Sequence, residues 1–396
     1  MKKSVLAFFV VALGIASSPH SATAQEGDPK PNILVDADKV QCPTAQYTTI
    51  QSAVNAANPG DVIRVCADIY PEQVTINKSL TLRADNGVIV MPSNVTQNAT
   101  DVSDGTSIAA VFLVDDTQDV NLSGFIVDGS SNGITGCSPR LVGILYQNAS
   151  GVVRHNAVRH MILSPSSTLG GCQSGNGIEV QTGSGMSSNV TISENSVWDY
   201  QKNGITANDE SSQAEIDDNV VSGVGPTTGA ASNGIQIGFG ASGSVTRNVV
   251  TNNVWSPCVS PTVCAFNATG ILVYQSNGIS LNSNSLATNQ VGIYIGGNNS
   301  TVTSNAISNS VTLIGLAIVG NDNSASRNSI VHSDQAGVYI QGNTNSVTDN
   351  RITDAGIGIL KVSGSAGNTI TGNHFYATPI TIQDPAARPN SVQPSR

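Results

Sequence analysis

Basic residues are scarce in this sequence of 396 residues, which has 17 lysines and arginines against 27 aspartates and glutamates and a formal net charge of −10. A surface that binds nucleic acid needs an excess of positive charge to meet the phosphates. The sequence therefore argues against nucleic acid as a partner. Long apolar runs are also absent after residue 24, so we expect no membrane span.

Motifs that usually bind metals are missing as well. The six cysteines form no Cys-x-x-Cys pair and have no histidine-rich neighbour. An even number of cysteines in an oxidising compartment favours disulfides instead. Each sequential pair would close one local excursion of the chain, and on that ground we predict Cys42–Cys66, Cys137–Cys172 and Cys258–Cys264.

The sequence begins with a targeting segment. Two lysines precede an apolar stretch, Val5–Ile15, and small residues at 22–24 form a cleavage site. This pattern is typical of a bacterial signal peptide over residues 1–24. It predicts a secreted or periplasmic protein.

A short motif then recurs nine times: an aliphatic residue, two polar residues, an asparagine, and another aliphatic residue two places later. Examples are VTSNAI at 302–307 and VTDNRI at 347–352. The asparagines are Asn156, Asn195, Asn219, Asn248, Asn284, Asn305, Asn328, Asn350 and Asn373. A glycine followed by alternating apolar residues, as in GIYI at 292–295, precedes each motif. These glycines are Gly143, Gly177, Gly204, Gly234, Gly270, Gly292, Gly315, Gly337 and Gly356.

Both motifs have a period of two, which indicates strands of three to five residues. No single unit could bury its one apolar face, so successive units must stack and share a core. The pattern predicts an all-β fold, a coil of about eleven or twelve turns of parallel strands. A leucine-rich repeat is the structural rival, but Val and Ile dominate here, and the asparagine falls between two short strands.

The repeated asparagines are expected at corners of this coil. Asparagine tolerates the left-handed backbone of a tight corner, and stacked amides can bond one another in a file. We therefore interpret all nine as structural residues.

The first part of the mature chain, residues 25–60, is expected to cap the coil. YTTIQSAVNAANPGD (47–61) predicts a short helix that begins at Thr48 or Thr49 and ends before Pro59. It would cover the open edge of the first strands. We expect coils over residues 61–384 and a disordered, proline-rich tail over 385–396.

The segment from 47 to 87 and the later G-I-x-I and [VI]-x-x-N-x-[VI] units resemble the right-handed parallel β-helix superfamily, the pectin-lyase-like fold. The N-terminal segment is similar to that of pectin methylesterases and the NosD-like group. The resemblance implies one right-handed parallel β-helix over nearly the whole mature chain. The QDTL, DFIFG and GRPW signatures of the esterases and the DPH triplet of mannuronan epimerases are absent. The resemblance therefore transfers no catalytic residue.

Long variable loops at 161–176, 222–233 and 251–269 are expected to form walls on one side of the early turns. Between Asp128 and Glu179 the sequence holds no acidic residue but several basic ones. Such a cationic patch would suit a uronic-acid polymer, whose carboxylate a lyase or epimerase must neutralise while a base removes the adjacent proton.

The candidate catalytic residues near this interval are Arg140, Arg159, His160, Glu179, Asp199 and Lys202. Either arginine could neutralise the sugar carboxylate, and His160 or Lys202 could remove the proton. A hydrolase would use Glu179 and Asp199 as a carboxylate pair. The alternative is a solvated rim, with His155, Glu194, Asp218 and Arg247 in surface ion pairs.

Outward parity on the G-I-x-I strands makes Tyr274, Tyr294 and Tyr339 candidates for binding sugar rings. Acidic clusters at Asp115/Asp116/Asp119 and Asp217/Asp218 are candidates for Ca²⁺. The sequence thus favours an exported protein that binds or modifies an extracellular, acidic polysaccharide, with lyase or epimerase chemistry ahead of glycoside hydrolysis. The alternative is a non-catalytic structural, adhesive or NosD-like accessory protein.

Overall fold

The computed structural model describes residues 31–163, 169–258, 264–310 and 313–383. The predicted signal peptide and the proline-rich tail lie outside these ranges. The described residues form one α-helix and 36 strands. None of their helices is long and apolar enough to cross a membrane.

The helix α1 spans Ile50–Ala56. The strands, in chain order, are β1 Ile33–Val35, β2 Val62–Val65, β3 Ile69–Tyr70, β4 Val74–Ile76, β5 Thr81–Ala84, β6 Ile89–Val90, β7 Ala99–Thr100, β8 Ser107–Asp115, β9 Val120–Ser123, β10 Ile126–Asp128, β11 Arg140–Gln147, β12 Gly151–Arg154, β13 Ala157–Met161, β14 Asn176–Gln181, β15 Ser188–Ser193, β16 Ser196–Tyr200, β17 Asn203–Asn208, β18 Ser212–Asp217, β19 Val220–Thr227, β20 Asn233–Gly238, β21 Ser242–Thr246, β22 Val249–Trp255, β23 Thr269–Tyr274, β24 Ser280–Asn282, β25 Ser285–Ala287, β26 Val291–Ile295, β27 Thr301–Thr303, β28 Ala306–Ser310, β29 Ile314–Ile318, β30 Ser324–Ser326, β31 Ser329–Ile340, β32 Ser346–Thr348, β33 Arg351–Lys361, β34 Thr369–Thr371, β35 His374–Tyr376 and β36 Ile380–Gln383.

These strands stack into three parallel faces of a right-handed β-helix, as predicted. The first sheet, which precedes each repeated asparagine, has thirteen strands in the order β1, β2, β5, β9, β12, β15, β18, β21, β24, β27, β30, β32 and β34. It has one rung more than the upper predicted number of turns, because β1 precedes the helix in a segment that had been assigned wholly to the cap.

The second sheet follows the asparagines and runs through β6, β10, β13, β16, β19, β22, β25 and β28 to β35. The third sheet carries the glycine motif and runs through β8, β11, β14, β17, β20, β23, β26 and β29 to β36. The long strands β31 and β33 bend through both faces and join them.

Aliphatic side chains of all three faces fill the interior. In the third sheet, Ile178, Ile205, Ile235 and Ile271 lie at one level of successive rungs and are fully buried. Burial of each such side chain stabilises the fold by about 1.5–3 kcal/mol. Because the rungs share this column, no turn is stable without its neighbours.

The nine repeated asparagines form one continuous ladder, which confirms their structural role. From Asn156 to Asn373, each side-chain amide donates to the Oδ1 of the next asparagine at 2.9–3.1 Å. Each Oδ1 also accepts the backbone N–H of the preceding asparagine, as between Asn219 and Asn195 at 2.9 Å. These bonds satisfy polar groups that the corner would otherwise bury unpaired.

The left-handed backbone lies one residue earlier than the sequence predicts, before each asparagine rather than at it. Positive φ occurs at the residue before each asparagine, for example His155, Glu194, Asp218 and Arg247. This residue turns the chain and points outward, while the asparagine that follows can direct its amide into the ladder.

The repeated glycine is required by close packing between the second and third sheets. A Cβ on Gly204 would lie 2.4 Å from Val221 Cγ1 and 2.6 Å from the carbonyl oxygen of Gly234. The last glycine of this column is Gly358 rather than Gly356, because a Cβ on Gly337 would meet the Gly358 carbonyl and Val338 pairs with Ile359.

The N-terminal helix has the predicted start, with Thr49 as its N-cap. Glu72 accepts hydrogen bonds from the Ile50 and Gln51 amides at 2.7 and 2.9 Å, so it satisfies two further N–H groups of the first turn. The six cysteines form the disulfides Cys42–Cys66, Cys137–Cys172 and Cys258–Cys264, in the sequential order predicted.

Candidate functional site

A cavity of about 480 Å³ lies against the outer face of the third sheet in the early turns. Its lining is rich in carboxylates and amides and includes two basic and two aromatic side chains. The lining residues are Asp101, Ser103, Asp104, Arg140, Gln173, Asn176, Glu179, Lys202, Asn203, Asn208, Asp209, Gln236, Phe239, Leu272 and Tyr274.

The strand register of the third sheet builds the floor of this cavity. Glu179, Thr206, Gln236 and Leu272 are aligned on β14, β17, β20 and β23. Their neighbours in each strand point inward and form the aliphatic core, so these side chains face outward at intervals of about 4.8 Å. The floor is polar for three rungs and becomes apolar at Leu272.

Glu179 is the buried carboxylate of the floor, with 4% of its surface exposed. Its Oε2 accepts from Asn176 Nδ2 at 2.8 Å, and its Oε1 accepts from Gln181 Nε2 at 2.7 Å. Burial raises the pKa of Glu179, while these two amide donors favour the ionised form and limit the rise.

The wall at the N-terminal end comes from the loop between β7 and β8, which form an antiparallel pair. Arg140 of β11 donates to Asp101 Oδ2 at 2.7 Å and to Asp104 Oδ2 at 2.5 Å. Gln181 Nε2 also donates to Asp101, at 3.1 Å. These contacts fasten the loop to the sheet and connect it with Glu179.

Two further titratable groups line the cavity with shifted pKa values. Burial, together with the charges of Asp101, Glu179 and Asp104, raises the pKa of Asp209 to about 6. Burial lowers the pKa of Lys202 to about 8, and its Nζ donates to the Ala231 carbonyl at 3.1 Å. Shifts of this kind are typical of functional sites.

Several buried oxygens at or beside the floor have no hydrogen-bond partner among the described residues. They are Asn176 Oδ1, Thr206 Oγ1, Asn233 Oδ1 and Thr269 Oγ1. Protein interiors rarely leave such groups unpaired. The Asn176 oxygen belongs to a cavity-lining residue that is 7% exposed. It is a buried acceptor without a partner among the described residues, on a side chain that lines the cavity.

The predicted catalytic residues separate into two groups. Arg140, Glu179 and Lys202 line the cavity, as does Tyr274 among the predicted sugar-binding residues. Arg159, His160 and Asp199 instead surround Asp128 on the second sheet and are not part of the cavity lining. The proposed carboxylate pair of Glu179 with Asp199 is therefore not brought together.

In the second group, Asp128 is buried and accepts from Arg159 Nε at 2.7 Å. It also meets His160 Nδ1 at 3.0 Å, and His160 Nε2 lies 3.5 Å from Asp199. Burial acts to raise the pKa of Asp128, but hydrogen bonds from Ser130, His160 and Arg159 outweigh it and lower the pKa. Arg159 also lies 6.0 Å from the ring of Trp198.

The predicted cationic patch does not form. The sequence interval lacks acids, but the fold brings Asp101 and Asp104 onto Arg140, and Asp128 onto Arg159. Pairing across turns therefore neutralises charges that look isolated along the chain. The cavity lining has four carboxylates against two basic groups.

Tyr294 and Tyr339 face outward on the third sheet but do not form an exposed platform. They are 5% and 6% exposed and belong to an apolar cluster with Leu272, Ala317 and Leu360. The alternation of side chains along a strand predicts which face of the sheet a residue lies on, but not how much of that face other residues cover.

The predicted ion-pair column is present in part. His155 lies 3.3 Å from Glu194, and Arg247 pairs with Asp217 rather than with Asp218. Among the described residues, neither predicted calcium cluster brings three possible ligands together. The groups that do converge are Asp36/Asp38/Asp68 and Cys42/Cys66/Asp85, and the two cysteines of the second are disulfide-bonded.

Sequence reasoning missed Asp101, Asp104, Asp209 and Phe239. The first two lie on an excursion outside the repeat, at a distance along the chain from Arg140 that no local pattern reveals. Asp209 and Phe239 have positive φ, at 77° and 56°. They follow Asn208 and Gly238, which are register partners, so they occupy the same corner of successive turns. An aromatic residue at a corner otherwise given to polar residues was the available signal.

Comparison with known proteins agrees with this fold. The NosD family model, described as periplasmic copper-binding protein, matches residues 255–390. No curated protein matches the chain. PfbA, a surface adhesin of Streptococcus pneumoniae, is 13% identical over 87% of this chain and 90% of that chain, with a TM-score of 0.50. XylC, solved with xylose, is 9% identical over 87% and 86% of the two chains, with a TM-score of 0.54.

At these identities the structural likeness shows the fold alone. The NosD match begins after Asp209, so it leaves out every carboxylate and every basic residue of the cavity lining but includes Leu272 and Tyr274. The chain is therefore similar to right-handed parallel β-helix proteins of the pectin-lyase-like type over its length, and to NosD proteins over its later turns.

Proposed function

We propose that this protein binds a carbohydrate in the cavity of the early turns and hydrolyses a glycosidic bond there. The observation that carries the proposal is the floor itself. It combines a carboxylate pair of raised pKa, Glu179 and Asp209, with an amide-rich lining in which Asn176 Oδ1 has no hydrogen-bond partner among the described residues. A sugar presents many hydroxyl groups to such a polar lining.

The charge of the cavity favours a neutral sugar over the uronic acid expected from the sequence. Arg140 is engaged by two aspartates, and four carboxylates line the space. A sugar carboxylate would meet repulsion from Glu179 and Asp209 as they ionise. A hydroxyl-rich neutral ring would meet only acceptors and donors.

The two carboxyl groups differ in a way that suits acid and base roles. Asp209 has a pKa of about 6, so roughly a tenth of it is protonated at pH 7 and can donate a proton to the leaving oxygen. Glu179 is held by two amide donors that favour its ionised form. It would act as the nucleophile, or as the base that activates water.

The test is a panel of neutral and acidic oligosaccharides and polysaccharides, incubated with the mature protein with and without calcium. New reducing ends measure hydrolysis, and ultraviolet absorbance of unsaturated ends measures elimination. We expect hydrolysis of a neutral substrate. Glu179→Gln and Asp209→Asn should each lower turnover by about 10² to 10⁴-fold.

Matched controls separate catalysis from general effects. Glu215→Gln changes an exposed glutamate on β18, and Asp218→Asn changes an exposed aspartate whose φ of 55° resembles that of Asp209. Both should leave turnover unchanged. Products of a polyuronide that absorb in the ultraviolet would instead support the lyase hypothesis.

The second candidate is a non-catalytic, NosD-like accessory or adhesive protein, favoured by the family match to residues 255–390. Neither converging group of metal-ligating side chains among the described residues lies in that range. The panel decides between the two: no products and no rise in melting temperature with any sugar would favour the accessory role. The three disulfides support a location outside the cytoplasm under either function.

A further inference from the structure

The aromatic rim of the cavity carries a second inference, which rests on the proposed function. Phe239 is 41% exposed, and its ring meets that of Tyr274 edge-on at a centroid distance of 5.4 Å. Both residues line the cavity.

Phe239 occupies a position where local physics disfavours it. Its φ of 56° is left-handed, a region that Asn, Asp and Gly adopt most readily and that is strained for a bulky side chain. The equivalent corners of the turns on either side carry Asp209 and Gln275, both with positive φ. An exposed phenylalanine adds the cost of apolar surface in water. The fold needs only a residue with positive φ at this corner. It therefore explains neither the strain of a bulky residue nor the exposure of an apolar ring at this position.

The surroundings of Phe239 leave its ring accessible from the cavity. The strand position before it is Gly238, between Asn208 and Tyr274 in the register. A Cβ there would lie 2.9 Å from Asn208 Oδ1. The floor is thus free of a side chain beside the aromatic pair, and Phe239 stands one rung, about 4.8 Å, from Asp209.

From this arrangement we propose that the exposed ring of Phe239, supported edge-on by Tyr274, forms an aromatic platform on which one sugar ring of the substrate rests, next to the scissile bond. The C–H face of a pyranose packs on an aromatic ring, while its hydroxyl edge reaches the acceptors of the floor. Such a contact favours neutral pyranoses that have an apolar face. It places the site for this sugar ring at the C-terminal end of the cavity.

Binding of methyl glucoside, methyl galactoside and methyl xyloside, measured by saturation-transfer NMR on the mature protein, tests this inference. Phe239→Asn should weaken binding about tenfold and keep or raise the melting temperature, because asparagine relieves the strained corner. Phe239→Trp should keep binding. Gln275→Asn, at the corner of the next turn, should change neither quantity.

The two proposals fail in different ways. Equal sugar affinity in wild type and Phe239→Asn would overturn the platform and leave hydrolysis standing. Loss of turnover in Glu179→Gln with unchanged binding would support hydrolysis, and weaker binding in Phe239→Asn would support the platform. If Phe239→Asn is destabilised, Phe239→Leu decides: it keeps apolar packing without a ring face, so retained binding would overturn the platform and weakened binding would support it. If wild type neither binds nor cleaves any sugar, both proposals are wrong.

Discussion

The early turns, from β11 to β20, and the later turns, from β23 to β33, share one interior and differ on the outside of the third sheet. The inner columns are largely aliphatic in both regions, with Tyr146 and Tyr200 as exceptions, and one asparagine ladder runs through both. In the early turns, the outer column begins with Leu145 on β11 and is then polar, with Glu179, Thr206 and Gln236. It is apolar in the later turns, with Leu272, Tyr294, Ala317, Tyr339 and Leu360.

This difference separates what makes the fold from what makes the site. Inward positions must be alike because every rung contacts the next, so they repeat in the sequence. Outward positions face no such requirement and can carry chemistry. The later turns match the NosD model, while the carboxylates and basic residues of the cavity lie outside that match.

The largest predicted effect tests whether the interior is the same in both regions. Asn219→Ala in the early turns and Asn328→Ala in the later ones should each lower the free energy of unfolding by about 3–5 kcal/mol. Each leaves several buried ladder and backbone groups unpaired. Urea unfolding followed by circular dichroism measures this. Asn373→Ala, at the half-exposed end of the ladder, should cost clearly less. If only one of Asn219→Ala and Asn328→Ala lowered the free energy of unfolding, the interior would not be equivalent in the two regions.

The second prediction concerns the wall that the loop between β7 and β8 forms beside the early turns. Arg140→Met leaves Asp101, 6% exposed, as a buried carboxylate without its guanidinium partner. We expect a loss of about 2 kcal/mol, less than for a fully buried pair because Arg140 is 25% exposed. Hydrogen exchange should rise at the amides of Asp101 and Gly105, which close the loop. Arg351→Met, at an exposed position of β33, is the control and should change little. Unchanged exchange in the loop would show that the wall does not depend on Arg140.

The same division explains what could be predicted from the sequence. The three faces and the ladder follow from periodic patterns, since packing between rungs repeats them. The cap helix follows from its capping threonine and the proline after it, and the disulfides follow from the even number and the order of the cysteines. Glu179, Arg140 and Lys202 were found because they flank an unusual charge interval. Asp101 and Asp209 were not, since contact across turns creates their environment, and pKa shifts arise from that environment. Arg159 and His160 looked unpaired for the same reason, until the fold brought Asp128 to them.

The third prediction uses pH to detect the carboxylate cluster. The pKa of Asp209 rises on folding, to about 6, so the folded state binds its proton more tightly than the unfolded chain. This contribution to stability is present below the unfolded pKa and is lost as pH rises from about 4 to 6. Asp209→Asn removes that loss. Between pH 4 and pH 7, the free energy of unfolding of the variant should therefore rise relative to that of wild type by about 1 kcal/mol. This value is discounted because the carboxyl group is half-exposed. Urea unfolding at both pH values measures the gain. Asp218→Asn should show none, and a variant that gained nothing would contradict the clustering of charges.

The smallest effect on stability comes from exchanging the outer columns themselves. Gln236→Leu moves the apolar column one turn toward the cavity, and Leu272→Gln extends the polar floor by one turn. Gln236 gives up hydrogen bonds with Asn208 and Asn233, at 2.9 and 3.2 Å, but leucine gains apolar contact with Leu272. We expect a change of no more than about 1 kcal/mol in the free energy of unfolding, because the inner face is untouched. Sugar affinity should fall in Gln236→Leu, since a donor and an acceptor leave the floor. If Gln236→Leu instead unfolded the early turns, the outer column would be part of the scaffold, and the separation between fold and site would not hold.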